Sequence, residues 1–239
     1  MGAYSVEGIV LRHADYREND RMLTLLTPHG RVDALSRGCK RPKSPLLPAS
    51  EVFVLGNYEL VTTKAHCLVA NCLLQDSFYP LRLDIDKLSA AAYMANICEA
   101  TVQPDENAQR PFLLLARALG YLSYNDYPAR AVLTAFLLHY AVAMGYKPRL
   151  NHCVVSGQAI DPQAGALFDI EQGGVLSPEY ANQMMRGGAL KSSELRWLRE
   201  ALTQGAKVDL PPEDAPLALM QAYLEARIEK KIPHLMVQL

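Results

Sequence analysis

One short basic segment has residue types and spacing that point to chemistry. Residues 31–43 hold five cations against a single acidic residue, Asp33; the cations are Arg31, Arg37, Lys40, Arg41 and Lys43. Lysine and arginine neutralise phosphates and release counterions, and this contribution to binding does not depend on base sequence. The segment therefore predicts contacts with a nucleic-acid backbone, where Gly38 would let the chain turn or approach a strand closely. The alternative is a solvated loop whose charge only keeps the protein soluble.

Aromatic rings near such a segment would add stacking on bases. The nearby rings in the sequence are Tyr16, Phe53 and Tyr58. Arg12 and Arg21 are further candidates for phosphate contacts if their strands turn those faces outward. An ordinary surface position explains these two arginines equally well.

Catalytic motifs are missing from the sequence. It has no glycine-rich phosphate loop of either common kind, no Gly-x-Ser-x-Gly and no His-Glu-x-x-His. His139 falls in an apolar helical segment and is expected to be a hydrogen-bonded core residue. Asp84 and Asp86 are either paired carboxylates or, more commonly, charges at a helix N-terminus. We expect no enzyme, and a metal-free hydrolase has no supporting set of residues.

Composition places the chain among globular proteins. It has 239 residues, of which 50% are hydrophobic and 21% are charged, and its formal net charge is −1. This length suits one large domain or two to three small ones. The five cysteines show no disulfide framework, and no signal peptide or membrane span is evident. The sequence thus predicts a soluble, cytoplasmic protein.

The first 80 residues have the pattern of β-structure. Runs at 4–12, 21–27, 31–37 and 67–74 predict strands, and Gly56-Asn57 is a candidate hairpin turn between runs at 51–55 and 58–63. About five short strands in this length favour a small barrel, and an OB-type barrel fits the size.

Helical periodicity follows the β-region. Helices are predicted at 83–100, 111–121, 129–144, 194–203 and 216–231, with a short one between Ser177-Pro178 and Gly187-Gly188. Residues 145–176 are expected to be mostly loop. The predicted fold class is α+β, with a five-stranded OB-type β-barrel followed by a mainly helical bundle.

Several motifs in the first 44 residues occur in a fixed order. They are Gly8-Ile9-Val10-Leu11, Tyr16-Arg17-Glu18-Asn19-Asp20, Leu25-Leu26-Thr27, Gly30-Arg31-Val32, Ser36-Arg37-Gly38, Lys40-Arg41 and Lys43-Ser44. Together they resemble the amino-terminal signature of the RecO family of recombination mediators. Looser likenesses follow in Gly145-Tyr146-x-Pro148-x-Leu150-x-x-Cys153 and in Tyr223-Leu224-Glu225 with Lys230-Lys231.

The resemblance implies a domain plan and a function. The plan is an OB-type barrel at 1–80, a helical domain at 81–150 and 181–239, and a zinc-module-like insert at 151–180. The function would be binding of single- and double-stranded DNA, annealing of complementary strands, and loading of a RecA-type recombinase onto strands coated by single-strand-binding protein. The implied partners are the acidic, apolar C-terminal tail of that coating protein and a RecR-type ring, in the bacterial cytoplasm near the nucleoid.

The chain departs from the family at its zinc ligands. Zinc-binding members carry two Cys-x-x-Cys pairs, whereas the four corresponding positions here are Cys153, Ser156, Ser177 and Tyr180. One thiolate does not complete a tetrahedral structural site. We expect the zinc site to be lost and no cofactor to be bound.

Partner binding can also be placed on the helical part. An acidic apolar tail needs an apolar groove edged by cations. Arg117 and Arg130 beside Leu113, Leu114, Leu133 and Leu137 are the candidates, although core packing of the leucines and solvent exposure of the arginines is the simpler explanation. A second function class stays open: a protein-interaction scaffold whose barrel is purely structural.

Overall fold

The computed structural model describes residues 2–64, 66–161 and 163–233. Contacts divide the described chain into two compact units, residues 2–124 with Pro233, and residues 125–232. The four-part division expected from the sequence stays a prediction.

A five-stranded sheet forms the amino-terminal part of the first unit. Its strands are β1 (Gly2–Arg17), β2 (Asp20–Thr27), β3 (Gly30–Ser36), β4 (Leu55–Thr62) and β5 (Cys67–Asp76). Their order is β1-β2-β3-β5-β4, and β4 pairs back onto the first half of β1, so the sheet closes on itself. The sequence therefore predicted the strand number and the α+β class correctly.

The interior of this sheet is filled by alternating apolar side chains. Val10, Leu23, Leu25, Tyr58 and Leu60 share one buried cluster. Burial of each large apolar side chain contributes about 1.5–3 kcal/mol. The hydroxyl of Tyr58 also donates to the Ala49 carbonyl at 2.8 Å, which fixes the short helix α1 (Leu46–Ala49) under the sheet. The sheet is thus a rigid support for its connecting loops.

The predicted hairpin turn at Gly56-Asn57 is wrong. β4 runs straight through both residues, and residues 51–54 form no strand. A Cβ added at Gly56 would lie 2.6 Å from the Cys72 sulfur. The glycine is therefore required for the close approach of β5 and not for a turn.

Two helices complete the first unit. They are α2 (Ile85–Thr101), which packs against β1, and α3 (Gln109–Tyr124), which packs against α2 and β2. The Asp84 carboxylate caps α2 by accepting the N–H groups of Asp86 and Lys87 at 3.0 and 3.1 Å. This confirms that the acidic pair belongs to a helix N-terminus.

The second unit is built around α4 (Ala129–Ala143). This helix packs against α5 (Ser192–Gln204) and α6 (Leu217–Ile228). As expected, His139 is a hydrogen-bonded residue, with Nε2 2.8 Å from the Ala201 carbonyl oxygen. None of the helices in the described ranges is long and apolar enough to cross a membrane.

A small sheet in the second unit corrects the loop expected at 145–176. Its strands are β6 (Ala166–Asp169), β7 (Gly174–Leu176) and β8 (Gly187–Leu190), in the order β7-β6-β8. Gly187-Gly188 therefore lies in a strand, and the helix expected before it is only a 3-10 segment, Pro178–Gln183. The Asp169 carboxylate is buried and accepts backbone N–H groups from Glu171, Gln172 and Met185. Burial by itself would raise the pKa of this carboxyl group. The hydrogen bonds together have the larger effect, so the pKa is lower than its usual value.

Candidate nucleic-acid interface

Three connections of the five-stranded sheet lie side by side and form a surface that we call the basic rim. They are the end of β1 with the β1–β2 turn (residues 16–19), the loop at 37–45, and the β4–β5 connection at Thr63, Lys64 and His66. The Lys40 N–H donates to the Asn19 carbonyl at 3.0 Å, which joins the first two. Tyr16 lies near the end of β1, and the centroid of its ring is 6.0 Å from that of the His66 ring. This contact joins the β4–β5 connection to the other two.

The backbone of the 37–45 loop is held in defined turns. Gly38 has φ = 66°, a conformation that favours glycine, and its N–H donates to the Asp20 carboxylate at 2.7 Å. The Arg41 and Ser44 N–H groups donate three residues back along the chain, and Cys39 is completely buried. The loop therefore presents its charged side chains from a fixed backbone.

Three of the five predicted cations are exposed on this rim. Arg37, Arg41 and Lys43 are solvent-exposed, and none of them pairs with a carboxylate in the described part of the chain. Arg17 and Lys64, in or beside the neighbouring turns, are exposed in the same way. Five cations without carboxylate partners make this rim attractive to a polyanion.

The other two predicted cations are engaged by protein groups. Lys40 Nζ lies 2.8 Å from Asp15 Oδ2, and this hydrogen bond lowers the pKa of the Asp15 carboxyl group. Arg31 is half-buried, and its Nη1 donates to the Glu99 carbonyl at 2.8 Å. The structure thus places Lys40 at the rim but paired, and Arg31 against α2.

Arg12 and Arg21 also have carboxylate partners. Arg12 Nε lies 2.8 Å from Glu99 Oε1, and Arg21 Nη1 lies 2.7 Å from Glu51 Oε1. The side chain of Arg21 is only 14% exposed. These contacts favour a structural role for both arginines.

Of the three rings near the basic segment, one is accessible. Phe53 and Tyr58 are buried, whereas Tyr16 is 41% exposed. The guanidinium carbon of Arg17 lies over the Tyr16 ring, 5.4 Å from its centroid. Arg17, Lys64 and His66 were not predicted as site residues from the sequence. Lys64 and His66 reach the rim only through closure of the sheet.

The Asp15–Lys40 pair makes a prediction about affinity. Asp15→Asn removes a negative charge and frees Lys40, so one further phosphate contact becomes available. We expect affinity for a single strand to rise about fivefold at about 0.1 M salt, with a salt slope steeper by about 0.7. Fluorescence anisotropy with a labelled strand measures both values. Unchanged affinity and slope would show that Lys40 makes no phosphate contact when released.

The predicted partner-binding arginines differ in their surroundings. Arg117 is exposed on α3, next to Leu113, which is 54% exposed. Arg130 is half-buried and donates from Nε to the Ala215 carbonyl at 2.9 Å. Leu133 and Leu137 are buried in the second unit, as the core-packing explanation expects.

The chain brings together Cys153, Ser156 and Ser177, three of the four positions at which the resemblance leads us to expect a lost zinc site. Burial raises the pKa of the Cys153 thiol, but hydrogen bonds from the Ser156 hydroxyl and from backbone N–H groups, including that of Ser177, lower it to about 6. Cys153 is 2% exposed. No group of three metal-ligating side chains occurs within the described residues. One thiol and two hydroxyl side chains do not fit a structural zinc ion.

Comparison with known families assigns both parts of the chain. Residues 1–69 match the model for "Recombination protein O N terminal", and residues 82–236 match that for "Recombination protein O C terminal". Among curated proteins, "DNA repair protein RecO" of Moorella thermoacetica is 27% identical over 97% of this chain and 88% of its own length. The protein of the same name from Symbiobacterium thermophilum is 28% identical over 97% and 95%. That from Alkaliphilus metalliredigens is 33% identical over 64% and 62%.

Proposed function

The chain belongs to the RecO family of DNA repair proteins, and on this premise we propose that it is a non-catalytic recombination mediator. In this role it binds single- and double-stranded DNA and anneals complementary strands. It also helps to load a RecA-type recombinase onto strands coated by single-strand-binding protein.

The observation that carries this proposal is the set of exposed cations on the basic rim. Arg17, at the end of β1, and Arg37, Arg41, Lys43 and Lys64, on the adjacent connections, have no carboxylate partners in the described ranges. Such cations neutralise phosphates of two strands at once. Neutralisation lowers the repulsion between the strands, so pairing becomes faster without any bond chemistry.

The strand order supports an OB-type barrel as the carrier of this surface. β1 pairs with both β2 and β4, and β3 runs parallel to the start of β5. OB barrels bind oligonucleotides with the connections between strands 1 and 2 and between strands 4 and 5. Both of these connections belong to the basic rim.

Partner binding completes the proposed mediator. The acidic tail of the single-strand-binding protein is proposed to meet Arg117 and the exposed Leu113, with Arg130 as a second candidate. Apolar contact with a cation beside it is the chemistry that such a tail requires. A RecR-type ring is the other proposed partner.

The module around Cys153 is proposed to be held by packing and hydrogen bonds instead of zinc. Metal analysis of the purified protein is expected to find zinc well below one equivalent, since a single thiol remains at the site. The variant with Ser156→Cys, Ser177→Cys and Tyr180→Cys is expected to acquire about one equivalent, because four thiolates complete the tetrahedral set. Stoichiometric zinc in the wild-type protein would refute the proposal.

Strand annealing tests the proposed function directly. Two complementary oligonucleotides carrying a donor and an acceptor dye are mixed with and without the protein, and pairing is followed by energy transfer. The protein is expected to raise the pairing rate at about 0.1 M salt and to lose most of this effect at about 0.5 M, since screening competes with phosphate contacts.

The outcomes separate the two function classes. Acceleration that weakens with salt supports the mediator. Tight DNA binding without acceleration would reduce the role to DNA binding alone. Absence of DNA binding at low salt would leave the protein-interaction scaffold, with a purely structural barrel.

A further inference from the structure

An exposed group of three planar side chains stands within the basic rim, and we call it the ring platform. It consists of Tyr16, Arg17 and His66. The rings of Tyr16 and His66 meet edge to face with 6.0 Å between centroids and 71° between planes. The Arg17 guanidinium lies 5.4 Å from the centre of the Tyr16 ring. Tyr16 thus contacts both Arg17 and His66, and all three side chains are exposed to solvent.

Packing in the core of the sheet does not account for the exposed ring of Tyr16. The other two aromatic residues near the basic segment, Phe53 and Tyr58, are 5% and 0% exposed, whereas Tyr16 is 41% exposed. Planar rings and guanidinium groups stack on nucleobases, and the surrounding cations would hold the phosphates on either side.

We propose that the ring platform is a stacking subsite for unpaired nucleobases, which makes the basic rim prefer single strands over duplex. This inference rests on the proposed DNA binding and adds its selectivity. In a duplex each interior base is already stacked on both faces, so duplex meets only the cations. A single strand meets the cations and also gains stacking on the platform.

The selectivity has a consequence for annealing. When two bound strands pair, their bases leave the platform and stack on one another. The paired product then keeps only its phosphate contacts, so it is bound more weakly than the strands from which it formed. The platform thereby favours release of the duplex.

The test compares Tyr16→Ala with wild type on two probes at several salt concentrations. The probes are a labelled single strand of about 20 nucleotides and the duplex of the same sequence. Tyr16→Ala is expected to weaken binding of the single strand about tenfold and of the duplex by less than about twofold. The salt slope should not change, because no phosphate contact is removed. Tyr16→Phe keeps the ring and should retain the affinity.

Tyr79→Ala is the matched control. Tyr79 is 60% exposed. It lies beyond the C-terminal end of β5 at Asp76, whereas His66 directly precedes the N-terminal end of the same strand. Its replacement is expected to leave both affinities unchanged. An equal loss on single strand and duplex, or no loss, for Tyr16→Ala would overturn the platform.

Failure of the platform and failure of the proposed function are distinguishable. If the variant lacking Arg37, Arg41 and Lys43 binds like wild type, then the basic rim is not the DNA site. If that variant loses affinity while Tyr16→Ala does not, only the platform is wrong. Each variant should unfold at a temperature near that of the wild-type protein. This result would show that a loss of DNA affinity does not come from a loss of folding.

Discussion

Replacing Arg37, Arg41 and Lys43 together by alanine is expected to weaken binding of single-stranded DNA about a hundredfold at about 0.1 M salt. Each phosphate contact on a single strand contributes about 0.7 to the slope of log affinity against log salt. Three lost contacts amount to about 2 in that slope, which is about a hundredfold at a tenth-molar salt concentration. All three side chains are exposed and lack carboxylate partners in the described chain, so their removal leaves no unpaired buried charge.

The salt dependence is the more specific measurement. Anisotropy titrations at several salt concentrations should give a slope smaller by about 2 for a single strand and by about 2.7 for a duplex. Loss of affinity with an unchanged slope would indicate a disturbed loop instead of lost phosphate contacts.

A variant with the same change in net charge serves as the control. Arg110, Lys147 and Lys207 are exposed and lie outside the basic rim. Their joint replacement by alanine lowers the net charge by the same amount and should leave the slope unchanged. An equal effect from this control would show that overall charge, and not the rim, governs DNA binding.

The strands were predictable because most of them are apolar runs of seven or more residues bounded by turn signals such as Pro28-His29-Gly30. For β2 and β3 the apolar run and the turn between them placed the element within about two residues. The small sheet of the second unit was not predictable in the same way. β6 and β7 have only four and three residues, which is too short to show a period.

Gly56-Asn57 shows why composition alone misplaced a turn. The pair is typical of a two-residue hairpin, but a glycine is equally required where a neighbouring side chain leaves no space for a Cβ. Here that neighbour is Cys72, which is sixteen residues away in the sequence and lies on β5, the strand paired with β4. Only the pairing of the strands distinguishes the two cases.

The candidate site was likewise predictable only in part. The basic segment could be recognised from charge, but the engagement of Arg31 and Lys40 could not. Their partners, Glu99 and Asp15, lie 68 and 25 residues away. The position of His66 on the rim was not predictable either, because only closure of the sheet brings it to Tyr16.

Gly30→Ala is expected to lower the free energy of unfolding of the first unit by about 3 kcal/mol. Gly30 begins β3 with φ = 105°, a conformation that side chains rarely adopt. An added Cβ would also lie 2.6 Å from the Gln103 carbonyl oxygen and 2.8 Å from the Glu106 nitrogen. Both are backbone atoms of the loop between α2 and α3, so no side-chain rotation relieves the overlap.

Urea unfolding followed by circular dichroism measures this loss, and Gly120→Ala provides its counterpart. Gly120 lies within α3 of the same unit, and nothing stands within 4 Å of an added Cβ. Alanine in a helix interior is favoured over glycine, so this variant should gain up to about 1 kcal/mol. Opposite signs at the two glycines would show that the turn before β3 is locked to the α2–α3 loop by the backbone contacts of Arg31 with Gln103 and of Ala108 with Pro28. A neutral Gly30→Ala would mean that this loop moves away at little cost, and that the sheet is less firmly held by its helices than these contacts indicate.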